Sequence, residues 1–327
     1  MIITRTPFRI SFAGGGSDLP SFYRRHTGAV LSTAIDKYMY IVLHPFFQKD
    51  KIQLKYSKNE LVGDVDDIRH PIFREVLKEY GLSGIDINSI ADVPSGTGLG
   101  SSSSFTVGLL NAVRAYLGKA SGAGALGAMA CDVEINKVGS PIGKQDQYAA
   151  AYGGLNLITF HGDESVVVER IIMNRAKRKE LERNLFMFYL GGKHSANEIL
   201  KRQQEAISND DKFEVQKKMV QLAYDLKDRL ENNDIDAMGT ILHEGWMMKK
   251  SLTNGITSDV IDTLYNKGIK AGATGGKLLG AGGAGFMLFY CPGSRHEDFL
   301  GNMYGESEMK FNFDDQGSKI IHIGDML

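Results

Sequence analysis

The sequence predicts two α+β units. Three observations lead there. Strand-like apolar runs recur along the whole chain, stretches with helical apolar spacing lie between them, and 327 residues exceed the ~100–200 usual for one domain. No segment reads as a flexible linker. A boundary somewhere in 155–185 fits the pattern, and we expect units of 1–170 and 171–327.

Taken in order, residues 38–43 (YMYIVL) and 52–56 (IQLKY) read as strands, the second alternating Ile52, Leu54 and Tyr56. The acidic stretch 64–70 lacks regular metal-ligand spacing and reads as a solvated loop or helix start. Residues 85–90 suit a strand, and PSGTGLGSSSS follows. Beyond it Phe105, Leu109, Ala112, Val113, Tyr116 and Leu117 recur at helical spacing, so a glycine-rich loop entering a helix is expected. A second helix is expected over much of 124–137, then the loop GSPIGKQDQY and the strand-like LNLITF and VVVERII. In the second unit, LFMFYL at 185–190 reads as a buried strand. Val215, Met219, Leu222, Leu226 and Leu230 mark the core stripe of a long helix. A helix over 259–267 and a strand FMLFY over 286–290 complete the pattern.

Composition excludes several classes. Lys plus Arg is 38 and Asp plus Glu is 39, a net charge of −1, so no broad basic footprint of a nucleic-acid binder is present. Two cysteines, Cys131 and Cys291, build no disulfide framework and read as packing residues. The start lacks a secretory leader and no run of 18 apolar residues exists, so we expect a soluble, cytoplasmic protein without a membrane span. The eight histidines form neither HExxH nor a compact Cys/His series, which gives zinc catalysis no support. Trp246, in HEGWMMKK, suits either a cleft cover or helix core. The sequence allows a homodimer, but no apolar stripe assigns its interface.

The densest chemical signal is Pro94-Ser95-Gly96-Thr97-Gly98-Leu99-Gly100-Ser101-Ser102-Ser103-Ser104. Glycines let backbone amides crowd a highly charged ligand, and a following helix N-terminus adds favourable electrostatics for phosphate. The P-loop pattern GxxxxGK[ST] is absent, and a purely structural loop with a helix cap remains the alternative. A second glycine cluster spans 275–285, and residues 280–285 satisfy GxGxxG. It precedes a strand instead of joining a strand to a helix, so close backbone packing explains it better than a dinucleotide.

Four charged residues are candidates for catalysis. Phosphoryl transfer needs a carboxylate near Mg²⁺ and a second one at the acceptor hydroxyl. Glu134, on the expected 124–137 helix, and Asp146, in GKQDQY, are placed to serve. A helix-surface glutamate and a turn-capping aspartate are the competing readings. In the opening segment Arg9 can face phosphoryl charge or make a structural ion pair. Asp18, after Gly14-Gly15-Gly16-Ser17, can accept from sugar hydroxyls or cap a turn.

RTPFRISFAGGGSDLP, PSGTGLGSSSS and GGKLLGAGGAGF resemble, in order and over essentially the whole chain, the three motifs of the GHMP small-molecule kinase superfamily. The pattern is most similar to bacterial D-glycero-D-manno-heptose 7-phosphate kinases. The resemblance implies a ribosomal-protein-S5-like N-terminal domain, a ferredoxin-like C-terminal domain and ATP between them, its phosphates over residues 96–104. It implies Ser101, Ser102 and Glu134 around Mg²⁺, Asp146 at the acceptor hydroxyl and Arg9 at the phosphoryl group. Gly16, Ser17 and Asp18 would face the sugar, and the third motif around Gly280–Gly285, with Gly282 and Gly283, would shape the cleft and support the phosphate loop.

The implied reaction is transfer to the C1 hydroxyl of a heptose already phosphorylated at C7. An unphosphorylated sugar such as fucose, another phosphorylated heptose, and a non-enzymatic nucleotide-binding sugar sensor are the alternatives. A remote phosphate calls for cations, and Arg24, Lys137, Lys144, Lys193 and His194 are the candidates. Lys193 and His194 lie in GGKHS, which resembles a TGxxR-type substrate loop but departs from it at Leu190 and His194.

Overall fold

A computed structural model describes residues 1–192, 196–207, 209–253 and 255–324. The N-terminal unit begins with β1 (Ile2–Ala13), α1 (Pro20–Tyr23) and the 18-residue β2 (Gly28–Pro45). β3 (Ile52–Lys55), β4 (Asn59–Val62), α2 (Pro71–Tyr80) and β5 (Ile85–Ala91) follow. Next come α3 (Ser101–Tyr116), α4 (Ala123–Cys131), α5 (Gln145–Tyr152), β6 (Leu155–Phe160) and β7 (Val166–Arg170). The C-terminal unit holds α6 (Arg175–Arg183), β8 (Leu185–Tyr189), α7 (Ala196–Ala206), α8 (Asp210–Glu231), α9 (Ala237–Leu252) and α10 (Asp259–Ala271). It continues with β9 (Gly275–Leu278), β10 (Phe286–Tyr290), α11 (His296–Asn302), β11 (Ser307–Glu308) and β12 (Lys319–Ile323).

Among the described residues, eight strands form one sheet in the order β12-β1-β2-β5-β3-β4, with β6 on β2 and β7 on β6. β1 and β2 form its antiparallel spine, from Ile2 opposite Leu43 to Ala13 opposite Leu31. The register slips between Pro7 and Phe8, where proline has no N–H to give the ladder. Beyond the slip Phe8, Ile10 and Phe12 are fully buried, and β1 delivers Arg9 and the Gly14–Asp18 loop to one edge of the core. α3 and α5 pack on the spine.

The second sheet, β11-β8-β10-β9, is antiparallel throughout. α9 packs tightly on β9 because neither side has a side chain in the way. A Cβ on Gly275 would lie 1.8 Å from the Gly239 carbonyl oxygen. α8 packs on α9 with one part of its surface and on β1 and β2 with another, so it ties the two units together. Trp246 is fully buried among Tyr265 and Phe289, in the helix core.

Two expectations need correction. The helix expected over much of 124–137 is present but not α throughout: α4 runs into a π-helical stretch, Asp132–Lys137. Such a widening depends on what the turn packs against, which apolar spacing does not record. A single cut at residues 170 and 171 also does not describe the molecule. β12 returns to the N-terminal sheet and pairs with β1, Ile2 opposite Ile323. Phe313 on the way back is buried 6.1 Å from Phe12, centroid to centroid.

Candidate active site

The site is a cleft of about 300 Å³ bounded by both units. One wall is the loop between β5 and α3. Gly96, Gly98 and Gly100 there hold φ of 81°, 85° and 74°, left-handed values that side chains resist. Gly100 is the N-cap of α3 and brings no side chain over the first amides of that helix, which leaves donors for an anion. Gly98 also faces the second glycine cluster. A Cβ on Gly98 would sit 2.5 Å from the Leu279 carbonyl oxygen, and one on Gly280 would sit 2.5 Å from the Gly98 Cα. The two glycine segments are therefore stacked backbone on backbone.

Behind the loop lies Glu134, 1% exposed. Ser102 Oγ donates to its Oε1 at 2.8 Å, while Ser103 Oγ at 2.8 Å and Gln147 Nε2 at 2.7 Å donate to its Oε2. Burial pushes its pKa up, only partly opposed by these donors. The π-helical stretch supplies Glu134 and α5 supplies Gln147, so the carboxylate is held from both sides.

Asp146 stands in the first turn of α5. Arg9 grips it with both arms, Nε to Oδ1 at 2.7 Å and Nη2 to Oδ2 at 2.7 Å, and its Nη1 donates to the Gly98 carbonyl at 2.6 Å. The ion-pair and functional readings of Arg9 thus meet in one contact. The guanidinium binds the very carboxylate named for the acceptor hydroxyl, and ties it to the glycine loop.

Asp18 completes the floor, 2% exposed. Its Oδ1 accepts from the Gly16 amide at 3.1 Å and Gln145 Nε2 at 2.9 Å, and its Oδ2 from the Gln145 amide at 3.1 Å. Burial first, then the Asp146 charge, raises its pKa. Gly143 allows this approach, since a Cβ there would lie 1.9 Å from Asp18 Oδ2.

Of the residues expected here, Arg9, Gly16, Asp18, Gly96, Gly98, Gly100, Ser101, Ser102, Ser103 and Asp146 line the cleft. Others stand behind it. Thr97 Oγ1 closes the turn onto the Pro94 carbonyl at 3.0 Å, and the Leu99 carbonyl accepts from the Arg9 amide at 3.0 Å. Ser104 Oγ donates to the Pro7 carbonyl at 2.8 Å, pinning α3 to β1. The Ser17 hydroxyl is fully buried and occupied by the Ala29 backbone. Gly282 and Gly283 pack against Ile256, with the Gly283 amide donating to the Ile256 carbonyl at 3.0 Å. Lys193 and His194 lie outside the described residues.

The other basic candidates are paired away from the cleft. Arg24 and Lys144 both bind Glu164, and Lys137 binds Glu79 and Asp132. Sequence reasoning missed Gln145, Gln147, Gln203, Lys249 and Lys277. Lys277 carried a signal, sitting inside GGKLLG. Lys249 carried none, because the consecutive Lys249 and Lys250 look alike until the fold buries one of them. Burial lowers the Lys249 pKa to about 8, with Arg9 adding to the effect and Asp18 opposing it. Lys277 is driven well below the usual lysine range by burial, then by Lys249 and Arg9.

Residues 68–154 match the GHMP kinases N terminal domain, and residues 226–299 match the GHMP kinases C terminal. The chain belongs to the GHMP kinases. This GHMP kinase is similar to the D-glycero-alpha-D-manno-heptose 7-phosphate kinase of Campylobacter jejuni, at 28% identity over 97% of this chain and 98% of that protein. It is also similar to the bifunctional fucokinase/GDP-fucose pyrophosphorylase of Arabidopsis thaliana, at 26% identity over 86% of this chain and 29% of that protein. Among solved structures, a D-glycero-D-manno-heptose 1-phosphate kinase from Bacteroides thetaiotaomicron superposes with a TM-score of 0.81 and 26% identity, covering 99% of this chain and 100% of the other. The α+β architecture is thus that of GHMP kinase structures. No helix among the described residues is long and apolar enough to cross a membrane.

Proposed function

We propose that this GHMP kinase, an ATP-dependent sugar kinase, transfers the γ-phosphoryl group of ATP to the C1 hydroxyl of D-glycero-D-manno-heptose 7-phosphate. The products are ADP and the 1,7-bisphosphate. The observation that carries the reading is the convergence, in one cleft, of the glycine loop backed by Glu134 with the Arg9–Asp146 pair and Asp18. The likeness to the Campylobacter jejuni heptose phosphate kinase over nearly the full length of both chains supports the choice of sugar.

The residues divide the work. Loop amides and the start of α3 hold the ATP phosphates. Glu134 with the Ser102 and Ser103 hydroxyls would hold Mg²⁺, a hard cation that takes oxygen ligands. When bound, Mg²⁺ offsets charge on the β- and γ-phosphates. Asp146 accepts the hydrogen bond of the C1 hydroxyl and receives its proton as the new O–P bond forms and the bond to the β-phosphate oxygen breaks. Arg9 keeps that carboxylate aimed and stands beside the transferring group. Asp18, with Gln145, binds ring hydroxyls. Ser11 Oγ, Gln145 Oε1 and Gln203 Nε2 line the same cleft as buried polar atoms without a partner among the described residues, which suits a polyhydroxylated ligand. Both cysteines are free thiols, in keeping with a reducing cytoplasm.

The test is Mg²⁺-dependent ADP release across D-glycero-D-manno-heptose 7-phosphate, mannose 6-phosphate, mannose, fucose and galactose. Selective turnover of the heptose phosphate is expected. Selective turnover of fucose or another unphosphorylated sugar would keep the kinase and replace the substrate.

A further inference from the structure

Two lysines of the C-terminal unit reach the cleft, Lys249 near the end of α9 and Lys277 in β9, each only 8% exposed. Lys277 Nζ donates to the Phe12 carbonyl at 3.0 Å, and Lys249 Nζ donates to the Gly280 carbonyl. Among the described residues, neither ammonium has a carboxylate within 4.0 Å. Each ammonium has three donors, and one is used. Arg24, Lys137 and Lys144, by contrast, each hold at least one carboxylate. Burying a cation without a counter-charge is costly, and burying two that repel each other is more so. Arg9 adds a third positive charge that both lysines feel, and its own carboxylate partner is Asp146. Asp18 acts on Lys249 from a distance and no carboxylate acts on Lys277, so the cluster keeps an excess of positive charge.

We infer that Lys249 and Lys277 form the subsite for the phosphate monoester that the acceptor sugar already carries. The inference rests on the proposed function, which gives the acceptor such a group. Position favours the acceptor over ATP. The donor phosphates have their own loop and helix on the N-terminal unit, whereas the Lys277 ammonium is fixed at Phe12, just before the Gly14–Asp18 loop that faces the sugar. Three residue steps along the strand lead from Arg9 to Phe12, about 10 Å, a span on the scale of a seven-carbon sugar. Lys249 bridges the two ends, since Asp18 acts on it and Gly280 packs on Gly98. The monoester supplies up to two negative charges and accepts the unused ammonium donors.

The experiment compares the wild type with Lys249→Met and Lys277→Met. Calorimetry without ATP gives the affinities for mannose 6-phosphate and mannose, and kinetics give KM for the heptose phosphate and for ATP. The wild type should prefer the phosphorylated sugar, and each variant should lose about tenfold or more of that preference, with mannose binding and the KM for ATP within about twofold of wild type. Lys249→Gln and Lys277→Gln repeat the test should a methionine variant not fold. A wild type indifferent to the sugar phosphate sinks the substrate reading and the subsite with it. A wild type that discriminates, with variants that discriminate equally well or lose ATP affinity instead, overturns the subsite alone.

Discussion

Asp146 and Glu134 show how two carboxylates in one cleft receive different work. Asp146 is a quarter exposed and gripped by a guanidinium, whereas Glu134 is sealed behind serines that donate to it. Asp146→Asn keeps the shape but removes the charge, so ATP binding should persist while kcat falls by about 10³-fold or more; a binding titration beside a turnover assay separates the two. Glu134→Gln should instead raise the Mg²⁺ concentration needed for half-maximal rate by about tenfold or more, read from a metal titration at saturating ATP.

Lys249 makes a pH prediction. Its folded pKa of about 8 lies below its unfolded value of 10.5, set by burial first, then by the Arg9 cation, with the Asp18 carboxylate opposing. Between those values the unfolded chain binds the proton and the folded chain does not, so this group makes stability rise with pH across that window. Below pH 8 both states are charged and the burial cost, about 3 kcal/mol, is fully present. Lys249→Met should therefore stabilise the ligand-free protein at pH 7 and flatten the rise above pH 8, measured by denaturant titration.

At the scale of elements, the glycine loops and the helix after the first of them were legible because their signals are local. PSGTGLGSSSS followed by apolar residues at helical spacing is α3 and its entry, and strands 85–90, 155–160 and 286–290 fall where alternating or continuous apolar runs put them. The π-helical stretch was not legible, nor the pairing of Gly98 with Gly280, because both depend on residues far away in sequence. The burial of one lysine of two adjacent ones is likewise a tertiary fact. The stacked glycines give a sharp test. Gly98→Ala meets both a left-handed φ of 85° and the Leu279 carbonyl. The expected cost is about 2 kcal/mol or more, together with a raised KM for ATP, measured by thermal denaturation and initial rates. An alanine variant with wild-type KM and Tm would deny the loop its proposed packing.

At the scale of the whole molecule, the cleft exists because two sheets with their helices meet along α8 and the glycine shelf. The return of β12 to β1 was invisible in the sequence, since KIIHI is short and distant from its partner. Truncation after residue 311 would expose the β1 edge and remove Phe313 from beside Phe12. It should lower Tm by about 5 °C or more in a thermal scan. An unchanged Tm would mean that the returning strand adds little to the N-terminal sheet.

The proposed reaction is phosphoryl transfer to C1 of a heptose that already bears a phosphate at C7. The most direct measurement is ³¹P and ¹H NMR of the product formed from D-glycero-D-manno-heptose 7-phosphate, ATP and Mg²⁺, with Asp146→Asn alongside. A new anomeric phosphate coupled to H1 is expected, with the C7 phosphate unchanged, stoichiometric ADP, and product from the variant formed more slowly by about 10³-fold or more. A phosphate appearing at another carbon, or no turnover of this sugar by a folded enzyme that phosphorylates a different one, would contradict it.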